Sequence, residues 1–90
     1  MAIDPQCAEA FRIRAISNAN LLNFEGAITD YLLCLVLNPK QTSVYIEYGL
    51  LLQLLKKHEE SIQVFKHLFV LEPNNIQVPL EIAKMYQILG

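Results

Sequence analysis

Residues 27–39 read AITDYLLCLVLNP and residues 61–73 read SIQVFKHLFVLEP. Laid one over the other, small falls on small (Ala27, Ser61) and aromatic on aromatic (Tyr31, Phe65), while Val36, Leu37 and Pro39 fall on Val70, Leu71 and Pro73. The offset is 34 residues, and the same step backwards carries Pro39 onto Pro5 of the stretch AIDP. Working outward at that offset, Phe11 meets Tyr45, Ala15 meets Gly49, Leu21 meets Leu55 and Ile28 meets Ile62. One further step brings Gly49 onto Ala83 and Leu55 onto Leu89. Self-similarity at a fixed period of this length is the signature of a repeat architecture, in which each unit covers its apolar face with its neighbour.

Each unit contains two apolar stripes at helical spacing. Tyr45, Tyr48, Leu52 and Leu55 recur at steps of three and four, and so do Ile62, Phe65, Leu68 and Phe69. The pattern predicts helices over about 7–21, 25–37, 43–56, 59–71 and 78–89. The segment KKHEE sets Lys56 and Lys57 at the negative end of one helix and Glu59 and Glu60 at the positive start of the next. In NFEG, Asn23 is a capping residue and Gly26 offers a permissive turn. Proline cannot continue a helix interior, so Pro39 and Pro73 mark its end. Val78 precedes Pro79 and is pushed away from helical geometry, which sets the start of the last helix near Pro79.

Composition narrows the function classes. The chain has 90 residues, 53% of them hydrophobic and 18% charged, which is more apolar surface than a domain of this size readily hides. A net charge of −2, with seven basic residues spread along the chain, opposes binding to nucleic acid. The longest apolar run, YLLCLVL, is far short of the ~20 residues a spanning helix needs, so no membrane partner is expected. Cys7 and Cys34 are too few for a disulfide or zinc framework, and the cytoplasm is the default compartment.

Taken together, the 34-residue period, the aromatic and small pair of each first helix (Phe11 and Ala15, Tyr45 and Gly49) and the small and aromatic pair of each second helix (Ala27 and Tyr31, Ser61 and Phe65) resemble tetratricopeptide repeats. Pro39 and Pro73 stand where that family places its closing proline. The resemblance implies an all-α fold of five helices, in helix-turn-helix repeats stacked as a short right-handed α-solenoid fragment. It divides the chain into the tail of a preceding repeat (1–7), two complete repeats (8–41 and 42–75) and the first helix of a third (76–90), a slice of a longer array. Close helix crossings call for Ala, Gly or Ser, which suits Ala15, Gly49, Ala27 and Ser61. The chain departs from the family where Asn18 and Leu52 replace an aromatic that only Tyr86 keeps, and where Pro79 stands in for Phe11 and Tyr45.

Chemistry-bearing clusters are scarce. His58 and His67 are nine residues apart and point to opposite sides of a helix, so they read as a turn residue and a solvent-facing residue rather than a ligand pair. Cys34 falls on an apolar face and reads as packing, while Cys7 sits near a helix start, where a thiol pKa is lowered. The three glycines form no phosphate loop, and Glu59 with Glu60 reads as a solvated helix start. No catalytic, metal or cofactor site is expected.

What the resemblance leaves for function is the concave face lined by first helices. It places Arg12, Ile13, Ile16 and Asn20 there, then Ile46, Glu47, Leu50, Gln53 and Leu54, then Glu81 and Lys84. The expected partner is a protein or peptide, as an extended or helical segment with apolar anchors. Some family members grip an acidic chaperone tail with Lys, Arg and Asn at such positions. Here Glu47, Glu81 and Ile16 occupy three of them, which disfavours that ligand. The alternative is a structural segment of the array, with self-association through an end face on the side of Leu80, Ile82 and Met85.

Overall fold

The computed structural model describes residues 5–89, with side chains from residue 8 onward. Of the segment 1–7, assigned above to a preceding repeat, residues 1–4 and the Cys7 side chain lie outside the described residues. Five helices follow in order: α1 (Pro5–Asn20), α2 (Phe24–Leu37), α3 (Thr42–Leu54), α4 (His58–Leu71) and α5 (Gln77–Leu89). Among the described residues there is no strand, and every helix end lies within two residues of the expected position. Pro39 and Pro73 stand two residues beyond the ends of α2 and α4, whereas Pro5 is the first residue of α1, where its missing N–H is one of those left unpaired in any helix.

The turns after α1 and α3 are built alike, 34 residues apart. Leu22 and Lys56 both take left-handed backbone, with φ of 64° and 65°. Around them Asn23 N donates to Asn18 O (2.8 Å) and Leu22 N to Ala19 O (3.0 Å), while Lys57 N donates to Leu52 O (2.8 Å) and Lys56 N to Gln53 O (3.0 Å). This is the Schellman pattern, which satisfies carbonyls that the ending helix would leave orphaned. It corrects two expectations. Gly26 lies inside α2 with no positive φ, and the turn's unusual residue is Leu22. Lys56 and Lys57 lie past the last turn of α3, so they do not complement its end from within.

The chain divides into two compact units, one up to Val44 and one from Tyr45. In the first unit α1 packs on α2 around Ala8, Ala15, Ala27, Tyr31 and Cys34, all buried. The Cys34 thiol donates to Ala8 O at 3.1 Å, which fits its reading as a packing residue. Asp30, immediately before the apolar run of residues 31–37 in α2, is 2% exposed and is satisfied from α1. The Arg14 guanidinium reaches its Oδ1 from Nη2 at 2.7 Å and both oxygens from Nε at 3.1 Å, and Asn18 Nδ2 donates to Oδ2 at 2.8 Å. A buried carboxylate needs such partners, so Asn18 replaces the family's aromatic for a local reason.

In the second unit α4 packs on α5 and is hydrogen-bonded to α3, with Ile62, Phe65 and Leu68 buried. Ser61 Oγ donates to Gly49 O at 2.7 Å across the α3 and α4 crossing, which requires the small residues the sequence supplies. Burying a side chain such as Phe65 contributes about 1.5–3 kcal/mol. His58 opens α4 rather than the turn, and exposed His67 stacks on Tyr45 with ring centroids 5.1 Å apart. α5 begins at Gln77, two residues before Pro79, because first-turn N–H groups have no helical partner for a proline to remove. The Asn75 side chain accepts from Gln77 N at 3.0 Å to start it. Met85 is fully buried, so it belongs to the core and not to the exposed side with Leu80.

Candidate functional site

The residues expected on first helices fall on one face of each helix. On α1, Arg12, Ile13, Ile16 and Asn20 lie within about 100° of arc at 100° per residue. Ile13 is 56% exposed, Ile16 is half-buried and Asn20 is exposed. Arg12 Nη1 meets Glu9 Oε1 at 2.8 Å one turn earlier.

In the second unit the predicted residues of α3 and α5 converge. A cleft of about 100 Å³ opens there, walled by Ile46 and Leu50 from α3, Gln77, Val78 and Glu81 from α5, and Asn75 before it, with the Phe65 ring as floor. Leu50 is 45% exposed despite its neighbours. At the rim, Gln53 Nε2 donates to Glu81 Oε2 at 2.9 Å, and Lys84 Nζ lies 3.4 Å from the same oxygen. One carboxylate is thus held by an amide from α3 and an ammonium one turn along α5, which fixes its direction. Glu47, half-buried, and Leu54, 65% exposed, share the α3 face without lining the cleft.

Ile46, Leu50, Gln53, Glu81 and Lys84 are therefore brought together, while Arg12, Ile13, Ile16 and Asn20 form a separate face in the first unit. Periodicity missed Asn75 and Val78 as lining residues. Asn75 sits in the PNN turn and Val78 before a proline, and neither carries a helical stripe signal. It also missed the Arg14, Asn18 and Asp30 group, whose only sign was an acid three residues after Ala27 and four before Cys34, on the same side of its helix. The Asp30 carboxyl is held below its usual range chiefly by the Arg14 hydrogen bonds, against the opposing effect of burial. The Tyr48 phenol is pushed up by burial and by nearby Glu60, and Tyr45 by burial alone.

No family model matches the chain. Over 78 residues it is 26% identical to human tetratricopeptide repeat protein 28, a match covering 87% of this chain; the chain spans about 3% of that protein's length. Among solved structures, the first tetratricopeptide domain of Spaghetti (RPAP3), bound to the HSP90 peptide SRMEEVD, is 31% identical with a TM-score of 0.79, over 96% of this chain and 70% of that one. The crystal structure of MamA shares the fold, with a TM-score of 0.86 at 23% identity over 97% of this chain and 51% of that one. With its 34-residue period, its paired helices meeting at small residues and these likenesses in sequence and structure, the chain belongs to the tetratricopeptide repeat family.

Proposed function

We propose that this chain is a non-catalytic protein-binding module that receives an extended or helical segment with apolar anchors. The observation that carries the reading is the cleft of α3 and α5. Its apolar walls, Ile46, Leu50 and Val78, stand beside a polar rim that is already oriented by Gln53 and Lys84. Apolar walls take side chains of a ligand, and a fixed polar rim selects its register. The α1 face with Arg12, Ile13, Ile16 and Asn20 offers the same kind of mixed surface. With two cysteines, too few for a disulfide framework, the cytoplasm is the compartment this reading carries.

The Spaghetti domain holds an acidic tail, SRMEEVD. The family resemblance puts Glu47 and Glu81 of this chain at groove positions where other members grip such a tail with basic residues, and like charges disfavour such a ligand. The ligand class is therefore apolar with basic residues.

Calorimetric titration tests this with two probes, SRMEEVD and a synthetic amphipathic dodecapeptide of Leu, Ile and Lys. The dodecapeptide binds saturably and SRMEEVD does not. Ile46→Ala with Leu50→Ala weakens the dodecapeptide about tenfold, and Glu47→Lys with Glu81→Lys reverses the preference. Micromolar binding of SRMEEVD to the unaltered chain overturns the ligand class. Loss of self-association, with peptide capture unchanged, in the Ile46 and Leu50 variant supports the array-segment reading instead.

A further inference from the structure

Helices α2 and α4 carry the same covering face. Each presents a small residue, an aromatic four on and an apolar residue seven on: Ala27, Tyr31 and Cys34 on α2, and Ser61, Phe65 and Leu68 on α4. All six are buried. On α4 the face meets α3, where Ser61 Oγ donates to Gly49 O at 2.7 Å, and on α2 it meets α1. Because the two faces match, nothing in them directs α2 to α1 rather than to α3. Chain length does not direct it either. Residue 55, midway between Gly49 and Ser61, opens the three-residue connection 55–57, and residue 38, midway between Ala27 and Gly49, opens the four-residue connection 38–41. Connections this short join antiparallel helices in both cases. The repeat pattern therefore offers two frames, one pairing α1 with α2 and α3 with α4, the other pairing α2 with α3.

The fold takes the first frame, and one group tells the two apart. Asp30 lies three residues after Ala27 and four before Cys34, on the covering face itself, and is 2% exposed. In the observed frame Arg14 Nη2 donates to its Oδ1 at 2.7 Å and Asn18 Nδ2 to its Oδ2 at 2.8 Å. On α3 the residues at the positions of Arg14 and Asn18 are Tyr48 and Leu52, both buried, and on α4 the residue at the position of Asp30 is Val64. In the second frame Asp30 would thus enter a site lined by a phenol and an isobutyl group, with no cation. A carboxylate buried without a cation is strongly destabilising, because its lost hydration is not replaced. The converse loss is mild, since the Arg14 side chain is 60% exposed and turns to water when its acid is gone.

We infer that Asp30, held by Arg14 and Asn18, is a conformational device that fixes the frame of helix pairing: it admits α2 to α1 and excludes it from α3. A single polar residue in an otherwise apolar seam sets register between coiled-coil helices by the same rule. The frame matters to the candidate site, because the Phe65 ring floors the cleft of Ile46 and Leu50 only while α4 covers α3. The inference itself needs no ligand and stands apart from the binding reading.

The test gives the first unit the residues of the second. The isotopically labelled full chain carrying Arg14→Tyr, Asn18→Leu and Asp30→Val is refolded from urea and compared with the unaltered chain by amide spectra and by nuclear Overhauser contacts of the Ala27 methyl. The unaltered chain gives one set of peaks, with Ala27 contacts to α1. The triple variant gives a second set, in which Ala27 contacts Gly49, its population raised at least about a hundredfold. Apolar replacement of a buried ionic group is commonly tolerated, and Asp30→Val alone provides a milder variant in which Arg14 turns to water; it gives the same second set. A group that only stabilises α1 on α2 predicts something else, a lower Tm with a single set of peaks. A single set with Ala27 on α1 in both variants overturns the inference. So does loss of folding in both, which makes the group a requirement for stability and not for frame. If the triple variant alone fails to fold, the Asp30→Val spectrum decides between these outcomes.

Discussion

Replacing Gly49 by alanine sets two physical effects against each other, and the structure decides which wins. In a helix interior alanine is favoured over glycine by about 1 kcal/mol, so from local propensity alone Gly49→Ala stabilises α3. A Cβ built on Gly49, however, falls 2.6 Å from Phe65 Cε2 and 2.8 Å from Cζ. Carbon atoms prefer about 3.5–4.0 Å, so the overlap is close to an ångström. The Phe65 ring is 2% exposed and cannot swing into solvent to relieve it. Overpacking of this kind costs about 1–3 kcal/mol, and with an overlap this large the upper part of the range applies. The net effect is a loss of about 1–2 kcal/mol, or a Tm lower by roughly 5–12 °C in a chain of this size. Thermal unfolding followed by circular dichroism measures it. Phe65→Leu in the same molecule removes the clashing ring atoms, so the double variant should lose less than the sum of the singles, a coupling a double-mutant cycle isolates. A Tm for Gly49→Ala equal to or above that of the unaltered chain would refute the reasoning and show that α3 and α4 separate without cost.

Further outcomes follow from other residues. Asn23 caps α2 by accepting from Gly26 N at 3.3 Å, whereas its equivalent Lys57 makes no side-chain cap on α4; Lys57→Asn should stabilise by about 0.5–1 kcal/mol, read as a rightward shift of the urea midpoint at constant m. Lys56 holds φ at 65°, so Lys56→Gly should also stabilise, by roughly 1 kcal/mol or less, and a destabilised variant would contradict the left-handed turn. Because Arg14 lowers the Asp30 carboxyl, the unfolded chain takes up that proton first as pH falls. The stabilisation is therefore complete above about pH 4 and is lost below it, and Asp30→Asn should flatten the acid limb of a Tm against pH curve. The raised Tyr45 and Tyr48 phenols act at the other end: their contribution is intact below about pH 10 and lost as pH climbs past it, a slope that Tyr45→Phe with Tyr48→Phe should reduce.

The repeat period and the helices were legible in the sequence because they rest on local rules. Three- and four-residue spacing of Tyr45, Tyr48 and Leu52 needs only helix geometry to place them on one buried side, and the structure buries all three. The close crossings were legible for the same reason, since Ala15, Ala27, Gly49 and Ser61 recur at a fixed offset and all four are buried. The candidate site was legible in part. Ile46, Leu50 and Glu81 were named from their faces, but Gln53 meeting Glu81 over 28 positions is a fact of how two helices approach.

By itself the sequence determined the period, the helix content and which residues must be small, because each follows from spacing along one chain. Only tertiary structure decided the rest. Leu22 and Lys56 became left-handed because their helices had to turn back on themselves, a demand that neither residue type announces. Asp30 became tolerable inside an apolar helix because Arg14 and Asn18, on another helix, reach its oxygens. Ala83 and its neighbours stayed open although they repeat the pattern of Ala15 and Gly49, because burial depends on a second surface and not on the sequence of the first.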